Sequence, residues 1–329
     1  MSQIGPVLCG DKEALLNGPE VKAMLIQGTN PMLVAPDLGK VKQGLLRDDL
    51  FVCVHEQFMT ETAQHADLVL PATTFVEQAD LYTSYGHTFM QFGDRIIEPL
   101  GKCRNNHQVI CELAKRVGAK HRGFDLSEKD LIDKTLEDSN YPPTHQFDHQ
   151  HFIDCSPSFE DAHFLSGFNW PDKKFRFSPD WESIGTQGKT MPSLPDFWNV
   201  IDQRDNKYPL KLVAAPSRGF LNSSFNNTPS SLKREKKPWL KIHPETAATY
   251  DVENGQPVLI GNSRGSVTVM AQYMENLQAD TVIVEGIWSA TAFPEKIGIN
   301  ILISSERAAP NGGAVFHDTA VWIKPVSAS

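Results

Sequence analysis

From Tyr208 onward the chain consists of short β-rich runs: Lys211–Ala214, Trp239–Ile242, Gln256–Gly261, Ser266–Gln272 and Thr281–Glu285, separated by Gly, Asn and Asp turns. This feature restricts the fold most. Many short strands in an open sheet would leave rows of unpaired N–H and C=O groups, whereas a closed barrel has no edges. The reading is therefore a closed β-barrel in the last third.

Upstream the pattern changes. Val21–Gln27, Leu50–His55 and Ala66–Pro71 read as strands alternating with helical stretches, the signature of an α/β unit. Pro36–Arg47 is polar enough for an exposed connecting helix. Asn106–Val117 carries Val109, Ile110, Leu113 and Val117 at helical spacing, so Leu113 and Val117 are expected in the core and Gly118 as the cap. Residues 119–207 lose clean periodicity and are rich in Pro, Asp, His and aromatics, which predicts short helices over a cleft rather than one bare loop. The expected organisation is an α/β region over residues 1–120, an irregular connecting region over 121–207 and a barrel domain over 208–329. A length of 329 residues suits about two domains of roughly 150.

Charge and cysteines narrow the function classes. With 31 basic against 40 acidic side chains the net charge is −9, which disfavours a nucleic-acid partner because phosphate neutralisation needs clustered Lys and Arg. No apolar run is long enough for a membrane helix, and the first ten residues lack the basic start and apolar centre of a signal peptide, so the chain as given reads as soluble and cytoplasmic. Cys9, Cys53, Cys103, Cys111 and Cys155 include no C-x-x-C pair. That spacing opposes a disulfide framework, a clustered iron–sulfur site and a four-cysteine zinc site.

Several local patterns are weak alone. Gly28-Thr29-Asn30-Pro31 ends a strand where α/β sheets bind ligands, but an ordinary turn explains it equally well. Glu56, just past the second strand, can accept hydrogen bonds from a guanine or ribose edge, or be a plain exposed acid. His145, Asp148, His149, His151, Asp154, Cys155, Asp161 and His163 cluster without matching a standard metal spacing, so a polar loop is favoured. The run Lys233–Lys237 reads as a solvated loop. Asn222-Ser-Ser and Asn226-Asn-Thr match the glycosylation pattern, which matters only in a secretory compartment. Ser223 and His243 lack any motif framing a nucleophile.

Taken together and in order, other segments resemble the carboxyl-terminal part of the molybdopterin oxidoreductases of the dimethyl sulfoxide reductase family. They begin with Met24-Leu-Ile-Gln-Gly-Thr-Asn-Pro31, then Thr60-Glu-Thr-Ala63 and Ala66-Asp-Leu-Val-Leu-Pro-Ala-Thr73. The second half adds Leu221-Asn-Ser-Ser-Phe225, Ile242-His-Pro-Glu-Thr-Ala247, Gly298-Ile-Asn300 and Asn311-Gly-Gly-Ala-Val-Phe-His-Asp318. The resemblance implies a partial doubly wound α/β domain followed by a six-stranded double-psi β-barrel. It implies molybdenum bis(molybdopterin guanine dinucleotide) as cofactor, with Gly28, Asn30 and Pro31 lining the guanine dinucleotide site, Glu56 on its guanosine part and Thr60 beside it. Asn222, Ser223, Ser224, Asn300 and His317 would lie against the pterin or diphosphate.

The family's amino-terminal half, with its molybdenum ligand and often an iron–sulfur cluster, has no counterpart here. No residue of this chain is therefore expected to ligate the metal or act as a catalytic residue. A separate amino-terminal half or an electron-transfer subunit is the expected partner, and the chain alone is expected to be inactive and prone to associate. The alternative is a non-catalytic structural subunit, against which the polar groups of Asn30, Asn222, Asn300 and His317 argue.

Overall fold

A computed structural model describes residues 2–147, 152–198 and 201–326. Helix α1 (Ile4–Leu8), strand β1 (Ala23–Gln27), helices α2 (Pro31–Val34) and α3 (Leu38–Leu45), and strands β2 (Phe51–Glu56) and β3 (Leu68–Pro71) come first. Strands β4 (Asp80–Tyr82) and β5 (Phe89–Gly93), helices α4 (Asn106–Val117) and α5 (Glu128–Asp138), strand β6 (Phe152–Asp154) and helix α6 (Phe159–Ala162) follow. The last part holds β7 (Leu210–Ala215), α7 (Pro229–Glu235), β8 (Trp239–Ile242), α8 (Pro244–Thr249), β9 (Pro257–Gly261), β10 (Ser266–Tyr273), β11 (Thr281–Glu285) and β12 (Thr319–Pro325).

Strands β7 to β12 close into a six-stranded barrel, in the order β10-β8-β11-β7-β12-β9. β7 pairs in parallel with β11, and β8 with β10; the other four pairings are antiparallel. Moving every strand three places along the chain, β7 to β10, β8 to β11 and β9 to β12, reproduces the same pairings. That internal twofold pattern is the topology of a double-psi barrel. Alternation fills its interior, with Leu240, Ile242, Val258, Ile260, Val267 and Val282 fully buried. Pairing by closure and burial by alternation agree, which is why the barrel is legible as strands. Its sixth strand, β12, lies outside the runs that the sequence marks.

The chain divides into two compact units. One comprises Met1–Cys53, Met59–Leu68 and Phe177–Ser329, and the other Val54–Phe58 and Val69–Arg176. Strands β1, β2 and β3 form a sheet in that order. Within the first unit, α3 is an amphipathic helix rather than the exposed connection expected of Pro36–Arg47. Leu38, Val41, Gly44 and Leu45 are buried, and α1 packs so closely that a Cβ on Gly44 would stand 2.4 Å from the Leu8 Cβ. The glycine permits the close approach.

In the second unit α4 has the expected bounds. Asn105 and Gln108 form a reciprocal capping box, and Gly118 ends the helix at φ 71°. Its buried face, however, differs from the expected one: Leu113 and Val117 are exposed, while Cys111 and Ala114 are buried. His107, Cys111 and Ala114 share an i, i+4, i+7 stripe, and the His107 ring hydrogen-bonds the Leu126 carbonyl at 2.9 Å. The buried face of α4 is therefore the one that carries Cys111 and Ala114 and is anchored by His107, not the one with the larger apolar side chains. The small antiparallel sheet β4-β5-β6 also lies beyond what the sequence pattern predicts.

Candidate functional site

β7 and β11 run in parallel and end together, with Glu285 opposite Ala215. Beyond those ends lies a cavity of about 620 Å³, walled by Gly28, Thr29, Val34, Ala214–Ser217, Phe220–Ser224, Gly286, Ile287, Ile299, Asn300, Phe316 and His317. The size is typical of small-molecule and cofactor sites.

Each wall has a local cause. The Gly286 N–H donates to the Ala215 carbonyl at 2.8 Å, and Gly286 sits at φ 84°, a left-handed conformation that favours glycine. A Cβ there would stand 2.9 Å from both Ser217 Oγ and Phe220 Cδ2. Phe220 packs edge-on against Trp288 at 4.9 Å, and Asn226 Nδ2 donates to the Ile287 carbonyl at 2.9 Å, holding the next loop. In that loop Leu221 and Ser224 exchange backbone hydrogen bonds of 3.0 and 2.8 Å, leaving Asn222, at φ 50°, and Ser223 at the tip. Asparagine is among the few side chains that tolerate this conformation.

On another stretch, Gly28 has φ 58° and open space where a Cβ would be. The following helix α2 is fixed at both ends. At its start Asn30 Oδ1 accepts from the Thr62 N–H (3.2 Å) and hydroxyl (2.7 Å), and Asn30 Nδ2 donates to Glu61 Oε2 at 2.7 Å. At its end Asn300 Nδ2 donates to the Val34 carbonyl at 2.9 Å. Burial pushes the Glu61 carboxyl up, but hydrogen bonds from Asn30, Ser289 and the Ala290 N–H outweigh it and hold the group below the ordinary glutamate range.

Six of the ten residues expected to bind, Gly28, Asn222, Ser223, Ser224, Asn300 and His317, line this one cavity. Asn30, Pro31, Glu56 and Thr60 are not among its walls. The Asn30 and Asn300 side chains are engaged inside the protein, so of the four polar groups weighed against a purely structural role these two serve the fold itself. Pro31 borders a smaller apolar cleft of about 140 Å³ beside Ile4 and Met24–Gln27. The Thr60 hydroxyl accepts the Ala63 N–H at 3.2 Å, and Glu56, in the second unit, accepts the Gln57 N–H at 2.7 Å.

Sequence reasoning misses Ser217 and Phe220, and marks Thr29 only as part of the Gly28–Pro31 turn. Ser217 Oγ is buried with no hydrogen-bond partner among the described residues, and it belongs to the cavity wall. Buried hydroxyls are ordinarily paired, so Ser217 Oγ in this wall calls for a partner that the described residues do not supply. No motif flags it, because only the fold reveals its missing partner. The walls carry amide, hydroxyl and imidazole groups and no Lys or Arg, a set that recognises a polar heterocycle and diphosphate by directed hydrogen bonds. A guanine-dinucleotide pterin fits that chemistry.

Where they are described, members of the other clusters make ordinary local hydrogen bonds. Asp154 accepts from Ser156 and Thr88, Asp161 from Ser158, and His163 bonds the Phe159 carbonyl. Asp148, His149 and His151 lie outside the described residues; among those described, no three His, Cys, Asp or Glu side chains are grouped to hold a metal. His243 caps α8 by accepting the Glu245 N–H, and is not a wall of the cavity that holds Ser223.

Comparisons with known proteins show which family pattern the chain carries. Residues 11–116 match the family model of molybdopterin oxidoreductase, and residues 210–320 that of the molydopterin dinucleotide binding domain. The chain is 34% identical to a probable oxidoreductase of Bacillus subtilis, YoaE, over 99% of its own length and 46% of that protein's. It is 27% identical to the assimilatory nitrate reductase catalytic subunit of the same organism, over 83% of this chain and 38% of the relative. The acetylene hydratase structure from Pelobacter acetylenicus superimposes with a TM-score of 0.76 at 19% identity, over 98% of this chain and 46% of that one. The chain spans less than half the length of each of these proteins.

Proposed function

Because this chain belongs to the molybdopterin oxidoreductases of the dimethyl sulfoxide reductase family, we propose that its cavity holds a molybdopterin guanine dinucleotide as part of a molybdenum oxidoreductase. The observation that carries this reading is Ser217, a buried hydroxyl without a partner, in the same wall as Asn222, Ser223, Ser224 and His317. The loop tip at Asn222 and Ser223, with Ser224 and His317, would hydrogen-bond the pterin or diphosphate. Gly28 and Thr29 would admit the dinucleotide close to the backbone, since no side chain stands over Gly28. Asn30 and Asn300 would act by fixing α2, and Pro31 and Thr60 keep the guanosine-side roles that the resemblance implies.

When bound, the molybdenum–pterin centre supplies two-electron oxygen-atom transfer or dehydrogenation. This chain's residues bind and orient; none is assigned as a metal ligand. We propose a region like the family's amino-terminal half as the source of the metal ligand and of any iron–sulfur cluster, with an electron-transfer subunit as a further partner. The test is molybdenum and pterin analysis of purified chain, with pterin read as its fluorescent oxidation product. Stoichiometric guanine-containing pterin that falls in Ser217→Val supports the reading. Its absence from the wild-type chain, with tight binding to a helper subunit, favours the structural-subunit alternative, and turnover of a sulfoxide or N-oxide without a partner overturns the proposed inactivity.

A further inference from the structure

Glu61 is a half-buried carboxylate with no place in the cavity wall, yet its hydrogen bonds reach two separate parts of that wall. Oε2 accepts from Asn30 Nδ2 at 2.7 Å. Oε1 accepts from Ser289 Oγ at 2.7 Å and from the Ala290 N–H at 3.0 Å. Asn30 directly follows Gly28-Thr29, and Ser289 comes two residues after Gly286-Ile287, both of them stretches of wall. The donor–acceptor sense is fixed throughout. Asn30 cannot turn its amide over, because Oδ1 already accepts from the Thr62 N–H and hydroxyl, while Thr62 Oγ1 accepts the Met32 N–H at 3.1 Å. Only an acceptor pair at position 61 can serve both loops at once.

We propose that Glu61 is a positioning residue, which sets the spacing between the Gly28-Thr29 and Gly286-Ile287 loops and so tunes the cavity for the guanine dinucleotide without touching it. This rests on the dinucleotide reading above. It gives the Thr60-Glu-Thr-Ala63 motif a physical role, in which Thr60 and Thr62 shape the turn and Glu61 joins two distant parts of the chain.

The fixed polarity makes the proposal testable. In Glu61→Gln an amide N–H₂ faces Asn30 Nδ2, donor against donor; in Asn30→Asp a carboxylate faces Glu61. The double variant, Glu61→Gln with Asn30→Asp, reverses the sense, the new amide donating to the new carboxylate, and leaves the net charge unchanged. Guanosine diphosphate is the probe, by calorimetry, with amide hydrogen exchange over Thr29–Leu33 and Ser289–Thr291 as a second readout. Each single variant is expected to weaken binding about tenfold, as loss of a charge-assisted hydrogen bond implies, and the double variant to recover most of it. Glu61→Ala should speed exchange in both segments, while Val258→Ala, a barrel-core change, should not do so selectively. A double variant no better than the singles overturns the proposal, as does unchanged exchange in Glu61→Ala. If the wild-type chain fails to bind guanosine diphosphate, the dinucleotide reading fails at that point, and the clamp between the loops stands or falls on the exchange data.

Discussion

The barrel and the second unit use similar apolar residues with opposite results. In the barrel, Leu240, Ile242, Val258 and Ile260 are completely buried, because every strand is paired on both sides and each inward side chain meets another across the closed interior. In the second unit the sheet β4-β5-β6 has only three short strands, and Phe75, Ile96, Leu100 and Val117 are each more than two-thirds exposed. Closure, more than apolar content, determines how much side-chain area leaves water. The first region can therefore hold glycines and strained loops at its rim, as at Gly286 and Asn222, while the second relies on caps and local hydrogen bonds.

The sharpest test of that contrast is a matched pair of truncations. Ile260→Ala in the barrel is expected to cost about 2–5 kcal/mol of unfolding free energy, and Val117→Ala on α4 within about 0.5 kcal/mol of nothing, by denaturant titration. Comparable losses would break the comparison. Gly286→Ala comes next, since it places a Cβ at positive φ and against Ser217 and Phe220. It should cost about 1–3 kcal/mol and remove pterin retention, read by melting and cofactor analysis together.

Asn105→Ala tests what holds the second unit. It removes both the α4 cap and the 2.7 Å bond from Asn105 Nδ2 to Glu128 Oε2, and a loss of about 1–2 kcal/mol is expected, confined by hydrogen exchange to α4 and its neighbours. The smallest effect is a pH dependence. Glu61 is held below the ordinary glutamate value of 4.5, so its contribution is complete above that pH and is lost as pH falls through the lower folded value. Wild type should therefore lose stability relative to Glu61→Gln on acidification below about pH 4.5, and parallel pH profiles of the two proteins would remove Glu61 from the account.

Much of the molecule is legible in its sequence, for identifiable reasons. Strands β8 and β11 and helix α4 have the bounds that alternation and the Asn105 and Gly118 end signals predict. Of the ten residues that the family resemblance implies, Gly28, Asn222, Ser223, Ser224, Asn300 and His317 line one cavity, while Asn30, Pro31, Glu56 and Thr60 do not. The buried stripe of α4 is not legible, because Leu113 and Val117 are as apolar as a core helix requires and only packing selects Cys111 and Ala114. The short strands β4 and β6 carry too few residues to show a period.

By itself, then, the sequence determined where five of the six barrel strands run and which family pattern the chain follows, because alternation, turn residues and motif order are properties of neighbouring positions. Tertiary structure alone decided that Ser217 lacks a partner, that Asn30 and Asn300 secure α2, and that Glu61 joins the loops at Asn30 and Ser289. Those are relations between residues far apart in the chain, and a hydrogen bond's partner is set by the position and direction of its atoms, which no local pattern encodes.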